Sequence, residues 1–400
     1  MIKHKAERPH IGIFGRSNYG KSSLINALTG QQIAIVSEVS GTTTDPVRKT
    51  MEISGLGAVT IVDTAGLDDT SALGQQRIAK TYKAVQEVDL ALLVIANNTF
   101  GECEQQLLNE FARFEVPCVV VYNKVDICPL RADCKASLAA YKLQAVEISA
   151  TTRQGLPNLV EAIRAAMPES AYAHQSLLAD IVKPNQHIWL ITPIDEAAPE
   201  GRLILPQVQV LRDVLDNDCT ASVLKETSLQ HTLAIQSLPD LVITDSQVFA
   251  MVNDLLPKEV RLTSFSVVLA RQSGNLDYYL QGTPTLSKLK DGDKVLMLES
   301  CTHIATCSDI GRVKLPKLIS RFTGKQLEYG IIAGQGDLPE NIADYALVIQ
   351  CGGCMATRKT LQSRIRIAVE AGVPVTNYGM AIAYMNGIFN RAVEPFVYKK

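Results

Sequence analysis

Short apolar runs separated by polar turns recur along the whole chain. Ile11–Phe14, Val59–Val62, Cys118–Tyr122 and Val146–Ile148 are each three to five residues long and read as buried strands. The stretch Ser23–Leu28 carries apolar residues at helical spacing. Further on, His187–Ile194 is strongly β-forming and holds the one tryptophan, Trp189. Val208–Leu215 places apolar residues at 208, 211, 214 and 215, a helical face. Ala221–Leu224 and Leu241–Thr244 read as strands, Ser228–Ile235 and Gln247–Leu256 as helices, and Phe265–Ala270 as a strand or a helix start. From Asp293 the alternation resumes, with strands at Val295–Leu298, Ala346–Ile349 and Val373–Thr376 and a helix over Thr357–Ala371. Repeated β-then-α order predicts an α/β fold with mainly parallel sheets.

A chain of 400 residues allows two or three domains of ordinary size. Its 46% apolar and 20% charged content is that of a globular protein. With 39 Lys+Arg against 41 Asp+Glu and a pI of about 6.3, no global basic field favours nucleic acid or anionic lipid. The segment Met1–His10 is polar, without the apolar stretch of a secretory signal. No apolar run reaches the roughly 18 to 20 residues of a membrane span. The expected location is therefore the cytoplasm, without membrane or nucleic-acid partners. The nine cysteines are then reduced, and clustered ones favour metal over disulfides.

Candidate chemistry begins at Gly15-Arg16-Ser17-Asn18-Tyr19-Gly20-Lys21-Ser22, between the first strand and the helix that Ser23 continues. That is the phosphate-loop spacing in its required strand–helix context, and a chance glycine turn is the bland alternative. Backbone N–H groups and the helix N-terminus cradle phosphate, Lys21 reaches the β- and γ-phosphates, and Ser22 ligates Mg²⁺. In the polar loop Gly41-Thr42-Thr43-Thr44-Asp45, one threonine can close on Mg²⁺ and the γ-phosphate. Asp63-Thr64-Ala65-Gly66 follows a strand; Asp63 serves Mg²⁺ through water and the Gly66 N–H senses the γ-phosphate. Asn123-Lys124-Val125-Asp126 also follows a strand, and the Asp126 carboxylate can accept both N–H donors of the guanine edge. Ser149-Ala150 fits the last base-contacting loop. In this order the elements specify a GTPase. The expected GTP-binding set is Asn18, Tyr19, Gly20, Lys21, Ser22, Ser23, Thr43, Asp63, Gly66, Asn123, Lys124, Asp126, Ser149 and Ala150, with Lys21, Thr43, Asp63 and Gly66 as its catalytic members.

Residues 8–168 resemble translation-factor-related GTPases, in particular the branch with the tRNA-modification GTPase (TrmE) and the Era-type proteins. The resemblance places the Mg²⁺-sensing threonine at Thr43 and a potassium-holding asparagine at Asn18. Leu67 stands where Ras-like enzymes have a water-orienting glutamine. It therefore implies slow intrinsic hydrolysis stimulated by K⁺, which takes the charge-neutralising role of an arginine finger. Cys103, Cys118, Cys128 and Cys134 in this half lack tight metal spacing and read as structural or incidental.

Residues 169–186 read as a linker, and 187–270 as a small parallel α/β domain without a catalytic constellation. Its expected work is joining subunits. Cys219 stands alone, and Asp245-Ser246 reads as a helix N-cap in preference to a binding turn.

In residues 271–400 the strands end at Glu299-Ser300-Cys301-Thr302-His303, at Gln350-Cys351-Gly352-Gly353-Cys354 and at Asn377-Tyr378-Gly379. Sites in open α/β sheets form beyond the carboxyl ends of strands, which brings Cys301, Cys351 and Cys354 towards one mouth. Three thiolates suit an iron–sulfur cluster with an open or non-cysteine fourth position. A Cys₃His zinc site with His303 is the chemical alternative, and a redox thiol pair leaves the third cysteine unexplained. Cys307 is a spare thiol.

Taken with these residues, essentially all of 8–400 resembles the GTPase-type maturation factor of FeFe-hydrogenases (HydF type). That family joins a GTPase domain, a dimerisation domain and a cluster domain whose motif is C-x-H, about 46 to 53 residues, then H-C-x-x-C. Cys301-Thr302-His303, the 46 intervening residues and Cys351 to Cys354 fit, whereas Gln350 stands at the second histidine. Glutamine is a poor iron ligand, so His303 or an exchangeable water or exogenous ligand remains for the fourth position. The resemblance implies a 4Fe–4S cluster on Cys301, Cys351 and Cys354, and a diiron subcluster precursor made with two radical-SAM maturation partners. It further implies delivery to the FeFe-hydrogenase apo-enzyme by a homodimer or tetramer. The rival readings are an RNA-directed GTPase, for tRNA modification or ribosome assembly, and a GTPase with a structural zinc.

Overall fold

A computed structural model of the chain describes residues 8–29, 46–68, 72–172, 176–194, 203–272, 276–300, 310–334, 336–353 and 356–397. The chain divides into two compact units, Met1–His174 and Gln175–Lys400.

The first unit runs β1 (His10–Gly15), α1 (Lys21–Thr29), β2 (Val47–Ile53), β3 (Gly57–Asp63), α2 (Ala72–Val85), β4 (Leu90–Ile95), α3 (Glu102–Arg113), β5 (Cys118–Tyr122), α4 (Ala132–Ala139), β6 (Ala145–Glu147), α5 (Leu156–Ala166) and α6 (Glu169–Tyr172). Its sheet has the order β2-β3-β1-β4-β5-β6, with β2 antiparallel to β3 and every other pair parallel. β1 and β4 are buried along their whole length because helices cover both faces of a parallel sheet. One face packs Ile11, Ile13, Leu92 and Val94 against Leu24, Leu159 and Ile163 of α1 and α5.

The second unit holds two parallel sheets. β7 (His187–Ile191), α7 (Leu205–Asp216), β8 (Thr220–Leu224), α8 (Leu229–Ile235), β9 (Leu241–Thr244), α9 (Phe249–Leu255) and β10 (Arg261–Ser264) make a sheet of order β10-β9-β7-β8. After α10 (Phe265–Gln272) and α11 (Leu276–Gly282) come β11 (Lys294–Leu298), α12 (Leu315–Thr323), β12 (Glu328–Ile332), β13 (Tyr345–Gln350), α13 (Arg358–Glu370), β14 (Val375–Asn377), α14 (Tyr378–Met385) and α15 (Phe389–Val397). Their sheet has the order β12-β11-β13-β14. Thr357 caps α13 by accepting from the Thr360 N–H at 3.2 Å. Asp245 is not a helix N-cap: α9 begins after Val248, and Asp245 Oδ1 accepts from Gln247 N at 2.9 Å.

Two stretches near the expected domain limits pack into a common core. Within 169–186, Leu177, Leu178, Ile181 and Val182 are buried in the second unit's core. Asp213 anchors this stretch, its Oδ2 accepting from Leu178 N at 2.8 Å and Ser176 Oγ at 2.9 Å. Residues 187–270 and 271–400 also meet in that core. Ile188, Leu190, Ile243, Leu296, Leu298, Val348 and Val375 from both sheets share one cluster with α10.

The C-terminal helices return to the first of these sheets, where Ala383, Ile388 and Ala392 pack with Trp189, Val242 and Leu262. Thr263 Oγ1 donates to Ala392 O at 2.8 Å. Arg391 donates to Asn253 Oδ1 (2.9 Å), Asn253 O (3.3 Å), Pro257 O (2.5 Å) and Val260 O (3.0 Å). Arg391→Ala leaves these acceptors without their charged donor. We expect thermal denaturation of the metal-free protein to show a loss of about 2–4 kcal/mol. An unchanged transition would show that these hydrogen bonds do not hold α15 to the first of the two sheets.

Candidate functional site

In the first unit the phosphate loop joins β1 to α1. Gly20 has φ +89°, and a Cβ there would lie 2.3 Å from Asn123 Nδ2, so this position admits only glycine. Lys21 is buried and donates to Gly15 O at 2.9 Å and Arg16 O at 2.8 Å. Burial lowers its pKa to about 8, against the pull of Asp63 and Asp68. Ser22 and Ser23 are half-buried in the first turn of α1. Asp63 ends β3 in register with Ile13. Burial raises its carboxyl pKa, opposed by Lys21 and Lys49. Gly66 packs beside Ser17.

The base-side motifs close on the same loop. Asn123 is buried and bridges two segments, its Nδ2 donating to Tyr19 O at 2.9 Å and its Oδ1 accepting from Ala150 N at 3.0 Å. Lys124 Nζ donates to Asn18 O at 2.7 Å. Ser149 Oγ accepts from Thr152 N at 3.1 Å, which shapes the last loop. Asp126 is exposed, as is the Asn18 side chain, whose backbone has φ +60°. The structure thus gathers Asn18, Tyr19, Gly20, Lys21, Asn123, Lys124 and Ala150 around one loop, with Asp63 beside Lys21. Thr43 lies outside the described residues.

Two neighbours of this loop escape a reading of motifs. Arg16 Nε and Nη2 donate to the two oxygens of Glu104 at 2.7 and 2.9 Å, and Glu104 is wholly buried. Glu104 Oε2 also accepts from Gly101 N at 2.9 Å, so α3 anchors the phosphate loop. Asp68 Oδ1 accepts from Ser17 N at 2.8 Å. Burial pushes the Asp68 carboxyl up, but hydrogen bonds from Ser17 outweigh it and hold the group below its ordinary pKa.

In the second unit Cys351 follows β13, and its N–H donates to Leu298 O at 2.9 Å, beside the end of β11. Its Sγ accepts from Ser300 N at 3.1 Å and has Gln350 Nε2 at 3.6 Å. Ser300 precedes Cys301 in the chain, so the 50-residue separation of Cys301 and Cys351 is bridged to within one residue. Gly353 has φ +73°, a left-handed turn between the two cysteines that suits glycine. Donors aimed at a sulfur suit a thiolate that ligates metal, so the described part of the turn fits a cluster ligand. Cys301, His303 and Cys354 lie outside the described residues, and among the described residues no three His, Cys, Asp or Glu gather for a metal. Below the turn, buried Glu299 pairs with Arg312 at 2.9 Å, and Arg364 Nη1 donates to Glu299 O at 3.3 Å.

Burial pushes the Cys118 thiol up to about 12 and raises those of Cys134 and Cys219. Such thiols stay protonated and unreactive. No helix among the described residues is long and apolar enough to cross a membrane.

Residues 177–274 match the family model described as the hydrogen maturase F dimerization domain, and residues 277–395 the hydrogen maturase F tetramerization domain. Residues 10–124 match the model of the 50S ribosome-binding GTPase. Among curated proteins, the chain is similar to the tRNA modification GTPase MnmE of Chromobacterium violaceum, 43% identical over 122 residues, 30% of this chain and 27% of that protein. It is also similar to the GTPase Era of Geobacter metallireducens, 35% identical over 179 residues, 43% of this chain and 59% of that protein. The chain therefore spans less than two thirds of either relative. Among solved structures, Era in complex with MgGDPNP and nucleotides of 16S ribosomal RNA aligns with 55% of this chain and 93% of that one, at 19% identity and a TM-score of 0.36.

Proposed function

Because the chain belongs to the hydrogen maturase F family, we propose that it is a GTP-hydrolysing scaffold for the two-iron subcluster of FeFe-hydrogenase. It binds a 4Fe–4S cluster through Cys301, Cys351 and Cys354, receives the diiron precursor as cargo from two radical-SAM partners, and delivers it to the apo-hydrogenase. The observation that carries this reading is the pair of adjoining maturase domain models over 177–395, within which Ser300 brings the chain next to the Cys351 sulfur. The RNA-directed alternative draws on the GTPase region alone.

In the GTPase, Lys21 holds the β- and γ-phosphate oxygens and exchanges its present acceptors, Gly15 O and Arg16 O, for them. Ser22 and Thr43 hold Mg²⁺ and Asp63 reaches it through water. The Gly66 N–H meets the γ-phosphate, while Asp126 accepts from the guanine edge. Asn123 fixes the base loop to the phosphate loop, so base recognition and phosphate position are one geometry. Loss of the γ-phosphate on hydrolysis removes the contact of the Gly66 N–H, which would change a docking surface and gate partner exchange.

Asn18 is assigned to a potassium ion at the phosphates, with Leu67 in place of a water-orienting glutamine. We expect GTP hydrolysis at equal ionic strength to run roughly tenfold or more faster in K⁺ than in Na⁺. Equal rates would remove the potassium role. The bound cluster supplies an iron with an exchangeable position for the cargo, and the sulfurs named above hold it. Anaerobic reconstitution with iron and sulfide tests this: a brown protein with broad absorbance is expected. Stoichiometric zinc that iron cannot displace would sink the cluster reading.

A further inference from the structure

The sulfur of Cys351 lies in a set of donors that two buried residues provide. Besides the Ser300 N–H at 3.1 Å, it has Ser300 Oγ at 3.3 Å and Gln350 Nε2 at 3.6 Å. Gln350 is wholly buried at the end of β13, paired in register with Leu298 of β11 and Asn377 of β14. Its Nε2 also donates to Leu298 O at 3.3 Å and Ser300 Oγ at 3.4 Å. A carbonyl can only accept, so the carboxamide atom on that side is the nitrogen. One N–H is therefore spent on Leu298, and the other serves Ser300 and the sulfur.

The opposite end of the side chain has no such account. Gln350 Oε1 is buried without a hydrogen-bond partner among the described residues. An orphaned buried acceptor destabilises a fold, and leucine would fill the same place without one. The contacts of Nε2 to Leu298 O, Ser300 Oγ and the sulfur are what a glutamine supplies here and a leucine would not.

We propose that Ser300 and Gln350 are positioning residues for the sulfur-ligated iron site. They fix the direction of the Cys351 sulfur and aim hydrogen-bond donors at it. This rests on the cluster reading above. A sulfur bound to iron carries no proton, so there the Ser300 hydroxyl would donate to it, where now it accepts from it at 3.3 Å. Gln350 Nε2, Ser300 Oγ and Cys351 Sγ then form one chain of donors ending on the sulfur, each polarising the next. Partners of this kind set metal affinity and raise a cluster's reduction potential.

The test uses the full chain, reconstituted anaerobically with iron and sulfide, as wild type, Gln350→Leu and Ser300→Ala. Three quantities are read: iron release to a chelator, the midpoint potential in a poised titration followed by electron paramagnetic resonance, and the Tm of the unloaded protein. Gln350→Leu is expected to release iron about tenfold faster and to shift the potential to more negative values, with Tm unchanged or raised. Ser300→Ala keeps its backbone N–H and shifts both in the same direction by less, which guards against misfolding at 350. Unmoved release and potential in both variants would overturn the inference and leave the cluster reading standing. A fall in Tm with no change in potential would make Gln350 structural only, and overturn it too. Failure of the wild type to take up iron would overturn the cluster reading, and the inference with it.

Discussion

Replacing Lys21 by alanine is expected to lower GTP hydrolysis by about 10³-fold, measured as phosphate release under saturating GTP. The size follows from the environment of the ammonium group. It is buried at the base of the phosphate loop, and removal from water has already brought its pKa to about 8. A charge held there acts on phosphate oxygens with little solvent between them. The same burial gives a pH signature. Below about pH 8 the amine is charged before the nucleotide arrives; above it, binding must bring a proton, because phosphate favours the ammonium form. GTP affinity should therefore fall by about a decade per pH unit above 8, and Lys21→Ala should flatten that slope. For the nucleotide-free protein the sign reverses. The folded pKa lies below the unfolded value of 10.5, so the unfolded chain binds more protons between about 8 and 10.5, and stability rises with pH across that window. An affinity independent of pH would show that Lys21 does not meet the phosphates.

Cys351→Ala is expected to abolish cluster loading while GTP hydrolysis stays within about twofold of wild type. Two cysteines of the proposed ligand set then remain, too few to retain a cubane cluster. The alanine also removes the acceptor of the Ser300 N–H without opening a large cavity, so the local fold should survive. The readout is iron and acid-labile sulfide content per chain beside the hydrolysis rate. Full loading would remove Cys351 from the ligand set, and loss of both properties would mean that the fold itself had failed.

What could be read from the sequence was whatever depends on neighbours in the chain. The phosphate loop, the Asp63–Gly66 segment and the Asn123–Asp126 segment declare themselves by local spacing, because each binds through its own backbone and adjacent side chains. The α/β alternation and the ends of β11 and β13 were readable for the same reason. Leu90–Ile95 does not declare itself, although β4 lies at the middle of the first sheet; a six-residue run buried on every side has no period to separate strand from helix. β12 pairs only with β11 at a sheet edge and is half-exposed, which blurs its pattern. α15 carries Pro395 within it and is held by packing on β10 rather than by propensity. The burial of 177–182 and the core shared by the two sheets depend on contacts between residues far apart in the chain. Arg16 and Glu104 are 88 positions apart, and Ser300 meets Cys351 only through the register of β11 and β13. No spacing rule could pair them.

The proposed transfer of a two-iron unit from this chain to an apo-hydrogenase can be measured directly. The direct measurement takes the anaerobically reconstituted protein, charged by the two radical-SAM partners, and mixes it with the apo-enzyme lacking its two-iron subcluster. Hydrogen evolution that appears with wild type and stays absent with Cys351→Ala is the predicted result. An apo-hydrogenase that remains inactive, although the wild-type protein has kept its cluster, would contradict it.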